Sequence, residues 1–250
     1  MTNNIISCPR KEDMGKECLV VSRDILIDEG LIPDEVAGKY VYQRIQGLGE
    51  LKKLLKIAKD HGEYRERNGE HGVEKDPGFQ QFIMYGFVER DGRFLLYQRA
   101  GGANYTETRL AGKVSVGIGG HMERTDLALS DSFYREIEEE AQITLNGNPV
   151  NFRRGDGSLD VGLMRQHIQI KPLGLIKDER DEVGKVHLGI VCAITPQTAG
   201  VEVHVKTGNG DENAKSMYVT PEEYQAMVMA EEVTPEGWTD IVFREEIKPN

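Results

Sequence analysis

The chain has 250 residues, 38% of them hydrophobic, and its 42 acidic and 31 basic side chains leave a formal net charge of −11. That length supports one large domain, or a domain with an addition, around a sizeable core. The acidic balance argues against a nucleic-acid polymer as partner, because phosphate backbones call for a basic surface, so a small anionic substrate is expected to arrive with a metal ion. Cys8, Cys18 and Cys192 are odd in number and widely spaced, which gives neither a zinc pattern nor a paired disulfide set. No signal-peptide core opens the sequence and no run approaches ~20 apolar residues, so no membrane partner and a cytoplasmic location are expected.

In chain order, residues 17 to 27 cluster aliphatics as a strand would, with Gly30 and Pro33 as breakers. From Gly47 to His61, Leu48, Leu51, Leu54, Leu55 and Ala58 recur at helical steps. Residues 61 to 78 are charged and rich in glycine, reading as an exposed connection or as a segment ordered against an active-site rim. Residues 1–75 are therefore expected to be an N-terminal extension packed on a main domain of residues 76–250. Phe79 to Val88 and Arg93 to Gln98 form two apolar runs joined through Asp91-Gly92, a hairpin signal because such turns need positive φ. Arg99, Arg109 and Lys113 follow in a loop, and they suit either phosphate oxygens or ordinary ion pairs, for example Arg109 with Glu107.

Residues 112 to 143 read as strand, loop and helix. At ~100° per helical residue, Glu136, Glu139 and Glu140 converge on one face while Glu138 points elsewhere. Clustered carboxylates repel one another unless a cation sits among them, and an all-oxygen set suits Mg²⁺ or Mn²⁺ better than Zn²⁺. Leu129, Phe133, Ile137 and Ala141 form an adjacent apolar stripe that anchors the helix on a core.

Beyond this stretch, Asn146-Gly147 makes a turn and residues 153 to 158 a second connection. Leu173 to Ile176 and Val186 to Ile194 read as strands around an acidic loop whose Asp178, Glu179, Asp181 and Glu182 either reach a metal site or are merely solvated. Cys192 is simplest as a small buried hydrophobe. A strand from Lys215 to Val219 leads to a helix capped by Thr220, Pro221 and Glu223, and Trp238, Ile241 and Val242 mark a closing helix.

The central stretch resembles the Nudix box, Gly-x5-Glu-x7-Arg-Glu-U-x-Glu-Glu-x-Gly-U with U aliphatic. Gly120, Arg135, Glu136, Ile137, Glu139, Glu140 and Ile143 fall on its positions. Asp126 stands where the pattern has its first Glu, eight residues rather than seven precede Arg135, and Gln142 replaces the late glycine. The wording GIGGHMERTD is similar to a bacterial Nudix subgroup labelled predicted phosphoesterases.

The resemblance implies an α/β fold, a Nudix-type α/β/α sandwich around a mixed sheet, here with a strand-plus-helix N-terminal extension. It also implies Mg²⁺ (or Mn²⁺) held by Glu136, Glu139, Glu140 and the Gly120 carbonyl, with Arg135 paired to Asp126 or Glu139. The implied activity is hydrolysis of a phosphoanhydride in a nucleoside diphosphate linked to another group, with no nucleic-acid polymer or membrane as partner; a homodimer is compatible with it. Arg135, Glu139 and Glu212 would be catalytic, Glu212 as general base, and Arg99, Arg109, Lys113 and His121 would contact substrate. His121 making only a local hydrogen bond is the competing reading. Two other functions share the fold: a catalytically silent nucleotide-binding or sensor protein, and an isopentenyl-diphosphate-isomerase-like enzyme using a strand cysteine, for which Cys192 is the candidate.

Overall fold

The computed structural model describes residues 17–36, 38–99, 111–124, 129–206 and 216–247. Strand β1 (Glu17–Ser22) runs straight into helix α1 (Arg23–Asp28), followed by β2 (Tyr40–Arg44), α2 (Leu48–His61) and β3 (Glu63–Glu66). A single 3-10 turn at Val73–Lys75 precedes the long β4 (Phe79–Arg90) and β5 (Arg93–Gln98). Short β6 (Val114–Ser115) and β7 (Gly117–Ile118) lead to α3 (Leu129–Glu140), β8 (Ala141–Leu145) and β9 (Asn148–Pro149). The chain continues as α4 (Val161–His167), β10 (Ile168–Asp178), α5 (Glu182–Lys185), β11 (His187–Pro196), β12 (Val201–Val205), β13 (Ser216–Val219), α6 (Pro221–Met229) and α7 (Gly237–Glu245).

The parallel pair β4 and β11 forms the middle of the main sheet, whose order is β13-β5-β4-β11-β10-β2. A parallel pair is stable when both its faces are covered, and the alternation of these two strands supplies apolar side chains to both. On one face Phe82, Met84 and Val88 join Leu188, Ile190 and Ile194 against Leu26, Leu54, Ile57, Phe133, Ile137 and Met164. On the other, Tyr85, Phe87, Val191 and Ala193 pack with Tyr224, Ile241, Val242 and Phe243. Helices α1 to α4 therefore cover one side and α6 and α7 the other, giving the expected α/β/α sandwich around a mixed sheet. A small second sheet, β12-β8-β9, continues directly from α3.

Several local expectations hold for the stated reasons. Asp91 and Gly92 adopt φ of 53° and 72°, and Asn146 and Gly147 adopt 51° and 78°, the left-handed pairs that tight hairpins need. Thr220 and Glu223 form a reciprocal capping box at the start of α6.

Other expectations are corrected. The strand expected over residues 17 to 27 ends at Ser22, because Leu26 reaches the core from a helical turn that Gly30, at φ 67°, then closes. The connection expected over residues 61 to 78 contains β3, paired with β1, and the turn that buries Val73. Strand β2, absent from the sequence reading, adds to the edge of β10, and β10 itself begins at Ile168 rather than Leu173. Residues before Asp76 thus contribute β1 to β4 and β2 to β10. Among the described residues no helix is long and apolar enough to cross a membrane.

Candidate active site

A cavity of about 320 Å³ opens beside the middle of β4 and is lined by the segment from Gly117 to His121, the acidic face of α3, the α5–β11 junction and the start of α7. Its floor is apolar, from Ile83 and Met84, while its walls carry most of the ionisable groups discussed below.

The carboxylate wall is built by α3. Phe133 and Ile137 seat that helix in the core, which turns Glu136 and Glu140 inward and leaves Glu139 at the rim, 44% exposed. Arg135 donates from Nη1 to Glu136 at 2.7 Å and to Glu139 at 3.3 Å, and from Nη2 to the His121 carbonyl at 2.8 Å. One guanidinium therefore ties the helix to the loop that faces it. Glu140 accepts the Gly119 N–H at 2.9 Å. Glu138 points away and pairs with Arg153, as helical geometry required.

These carboxylates are short of positive charge. Burial raises Glu136 above its ordinary range, and Glu140 and Glu139 add to the rise against the pull of Arg135, leaving it at about 8. Burial likewise raises Glu140 despite the Gly119 N–H and the charge of Arg99. Two desolvated carboxylates raised above their ordinary range despite Arg135 and Arg99 make an environment that a hard divalent ion would relieve, so the donor set fits Mg²⁺ or Mn²⁺. Gly120 fits it too. A Cβ there would stand 2.5 Å from a Glu136 carboxylate oxygen, so only glycine lets this loop lie against that group. The Gly120 carbonyl accepts the Met84 N–H at 2.9 Å, which fixes its position and leaves one lone pair.

The remaining sequence candidates fall differently. Arg99 lines the cavity with its fork taken up by Glu236, Nε to Oε2 at 2.6 Å. Glu236 also accepts from the Tyr85 hydroxyl and Ser115 Oγ, each at 2.6 Å, so it is a buried anchor between α7 and the sheet. Lys113 is half-buried outside the cavity lining. Arg109, Glu107, Asp126, Asp211 and Glu212 lie outside the described residues. In the acidic loop, Asp178 is engaged by Arg180, Glu179 by Arg23 and Lys177, and Asp181 caps α5 through the Gly184 N–H while lining the cavity.

His121 is half-buried on the cavity lining, and beside it the structure adds residues that sequence reasoning missed. His121 Nε2 lies 3.3 Å from His187 Nε2, and Glu74 Oε1 lies 3.7 Å from His187 and 3.9 Å from His121. Arg67 Nε donates to Glu74 at 2.8 Å. Burial, then the charges of Arg67 and His187, holds the His121 imidazole well below its usual range, so it is neutral near pH 7. Burial acting alone would raise the Glu74 carboxyl, but His187 and Arg67 outweigh it and keep it ionised. No local pattern announces this group, although Glu74 and Arg67 sit in the connection whose ordering against the rim was one of two readings.

Cys192 is the small buried hydrophobe expected. Cys192 is fully buried, its thiol pushed up by burial, and it does not line the cavity. Cys18, on β1, does line it; its thiol donates to Gln81 at 3.2 Å and is raised to about 12, first by burial. Neither is a poised nucleophile, since attack requires the thiolate.

Searched against protein-family models, the chain matches none. Protein YmaB of Bacillus subtilis (strain 168) is 35% identical to it over 200 residues, which are 77% of this chain and 81% of YmaB. The chain belongs to the YmaB family. Among solved structures, this YmaB-family chain is similar to Tm1382, described provisionally as a Nudix hydrolase, with a TM-score of 0.60 and 22% identity over 92% of this chain and 97% of that one. At that identity the likeness speaks for the fold, and the YmaB-family chain has the Nudix fold.

Proposed function

We propose that this protein is a divalent-metal-dependent hydrolase that cleaves a phosphoanhydride bond in a small substrate, a nucleoside diphosphate linked to another group. The observation that carries this reading is the pairing of Gly120 with Glu136 and of Gly119 with Glu140, two carboxylates raised by burial that line a cavity large enough for a phosphate-bearing ligand. Glu136, Glu139, Glu140 and the Gly120 carbonyl would hold Mg²⁺ or Mn²⁺. Such an ion neutralises charge on phosphate oxygens and acidifies bound water.

The chain's own residues do the positioning. Arg135 holds Glu136 from the preceding position on α3 and anchors the loop through the His121 carbonyl, so both halves of the site keep one register. The Gly119 N–H orients Glu140. Arg99, engaged by Glu236, contributes positive charge at the cavity wall and rigidity more than a free fork. Glu212 is proposed as the base that takes the proton from the attacking water.

The test is a panel of dinucleotide polyphosphates, nucleotide sugars, ADP-ribose, nucleoside triphosphates and coenzyme A, with Mg²⁺ or Mn²⁺, scored by released phosphate species. Turnover of one class, lost in Glu139→Gln and Glu140→Gln, is the expected result. Silence across the panel in folded, metal-loaded protein would favour a nucleotide-binding sensor.

A further inference from the structure

The cavity also carries chemistry that the hydrolase reading does not use. His121 and His187 present Nε2 atoms to each other at 3.3 Å, with Glu74 Oε1 at 3.7 and 3.9 Å from them. Two imidazole nitrogens bound to one zinc ion at ~2.05 Å and a tetrahedral angle stand about 3.3 Å apart, and a carboxylate oxygen sharing that ion stands at a similar distance from each. The nitrogen pair already has this spacing. Glu74 lies a few tenths of an ångström beyond it, within reach of a small side-chain rotation.

The His187 ring is oriented by a second, independent contact. His187 Nδ1 meets the Val183 carbonyl at 2.6 Å. A carbonyl only accepts, so Nδ1 carries a proton, and Nε2 is the ring atom that faces His121 and Glu74 and would bind a metal. Metal-bound histidines are commonly oriented through such an outer hydrogen bond, and ligating carboxylates are likewise held by a donor, the part Arg67 takes at 2.8 Å from Glu74. The three side chains come from the turn after β3, the glycine loop and the start of β11, and all three line the cavity. Arg67 is itself paired with Glu74, and Glu17, Glu123 and Asp181 line the same cavity.

We propose that Glu74, His121 and His187 form a second cation site, for a divalent transition metal of the zinc class, in the same cavity as the proposed Mg²⁺ site. Imidazole donors favour such ions over Mg²⁺, so the two donor sets would sort two kinds of cation by donor type. Three protein ligands leave one coordination position open toward the cavity, where water or an anionic oxygen of a ligand binds. The site goes beyond the hydrolase reading and does not depend on it.

The test titrates metal-stripped full-length protein with Co²⁺, a visibly absorbing substitute for zinc. One equivalent should bind with a visible band, Zn²⁺ should remove the band, and a large excess of Mg²⁺ should not. His187→Ala should weaken Co²⁺ binding about 100-fold or more, while Glu136→Gln should leave the band in place. Loss of the band in Glu136→Gln, or its survival in His187→Ala at wild-type affinity, would place the ion on the carboxylate wall and overturn the proposal. Because His187→Ala risks unfolding, zinc-edge X-ray absorption on wild-type protein with one equivalent of Zn²⁺ gives a second reading. Scattering from two imidazoles is expected, and an oxygen-only shell would refute the site. Failure of wild-type protein to bind Co²⁺ or Zn²⁺ at about 100 μM would mean that the histidines serve only as a hydrogen-bonded pair. Turnover with Mg²⁺ is measured separately, so either result leaves the hydrolase question open to its own test.

Discussion

Gly120 and Glu136 are in such close approach that a methyl group on the glycine would stand 2.5 Å from the carboxylate. Because the Glu136 side chain is buried and held by Arg135, Gly120→Ala should push the carboxylate out of place while the backbone stays folded. Mg²⁺ affinity is expected to fall by about 10-fold to 100-fold, read by calorimetry, with little change in Tm. Unaltered Mg²⁺ binding in the alanine variant would show that this contact does not shape a metal site.

The raised Glu136 carboxyl makes a prediction about pH. Its ordinary value is 4.5 and its folded value about 8, so between these the cation-free folded state holds a proton that the unfolded chain has lost. The stability it contributes is complete below 4.5 and is lost as pH rises through 8. Thermal unfolding of chelator-treated protein should show Tm falling across that window, with added Mg²⁺ restoring it most at the alkaline end. At pH 7, Mg²⁺ uptake should release about one proton, measured by calorimetry in two buffers of different ionisation enthalpy. Uptake without proton release would place the ion elsewhere.

Glu236 is 4% exposed and takes hydrogen bonds from Arg99, Tyr85 and Ser115. Glu236→Ala would strand a mostly buried guanidinium and a buried phenol. The cost should be about 3 kcal/mol or more, a fall of roughly 10 °C in Tm at this chain length. A change within about 2 °C would mean that α7 is held by Ile241, Val242 and Phe243 alone.

A chain beginning at Asp76 would lose β1 and β2 from the main sheet and Leu54 and Ile57 from the core. It would expose one edge of β10 and the inner face of the sheet, so it should be aggregation-prone or unfolded rather than a working domain. A soluble, active shortened protein with the parent Tm would show that residues 1–75 are dispensable.

Glu212→Gln should lower kcat by about 10²-fold while Mg²⁺ affinity stays near that of the parent, the pattern expected for losing a positioned base. Full turnover in that variant would transfer the role to another acid, with Asp181, which lines the cavity, the next to test.

Short-range chemistry was legible in the chain. The spacing of Glu136, Glu139 and Glu140 beside Phe133 and Ile137 specified one acidic and one apolar helix face, because a helix repeats every 3.6 residues whatever surrounds it. Asp91-Gly92, Asn146-Gly147 and the Thr220 to Glu223 box were equally readable, since turns and caps are settled by adjacent residues. Convergence over distance was not. His121 and His187 are 66 residues apart, and Arg99 and Glu236 are 137 apart, with no period or motif linking them. Arg99 suited either phosphate or an ion pair, and the segment holding Glu74 read as either exposed or ordered against a rim, because exposure and pairing are decided by which strands become neighbours. The parallel pairing of β4 with β11 brings His187 to the cavity, and β7 pairing with β4 brings in the glycine loop. The residues that carry each group are local facts of sequence, but the cavity they share exists only once the sheet has closed over them.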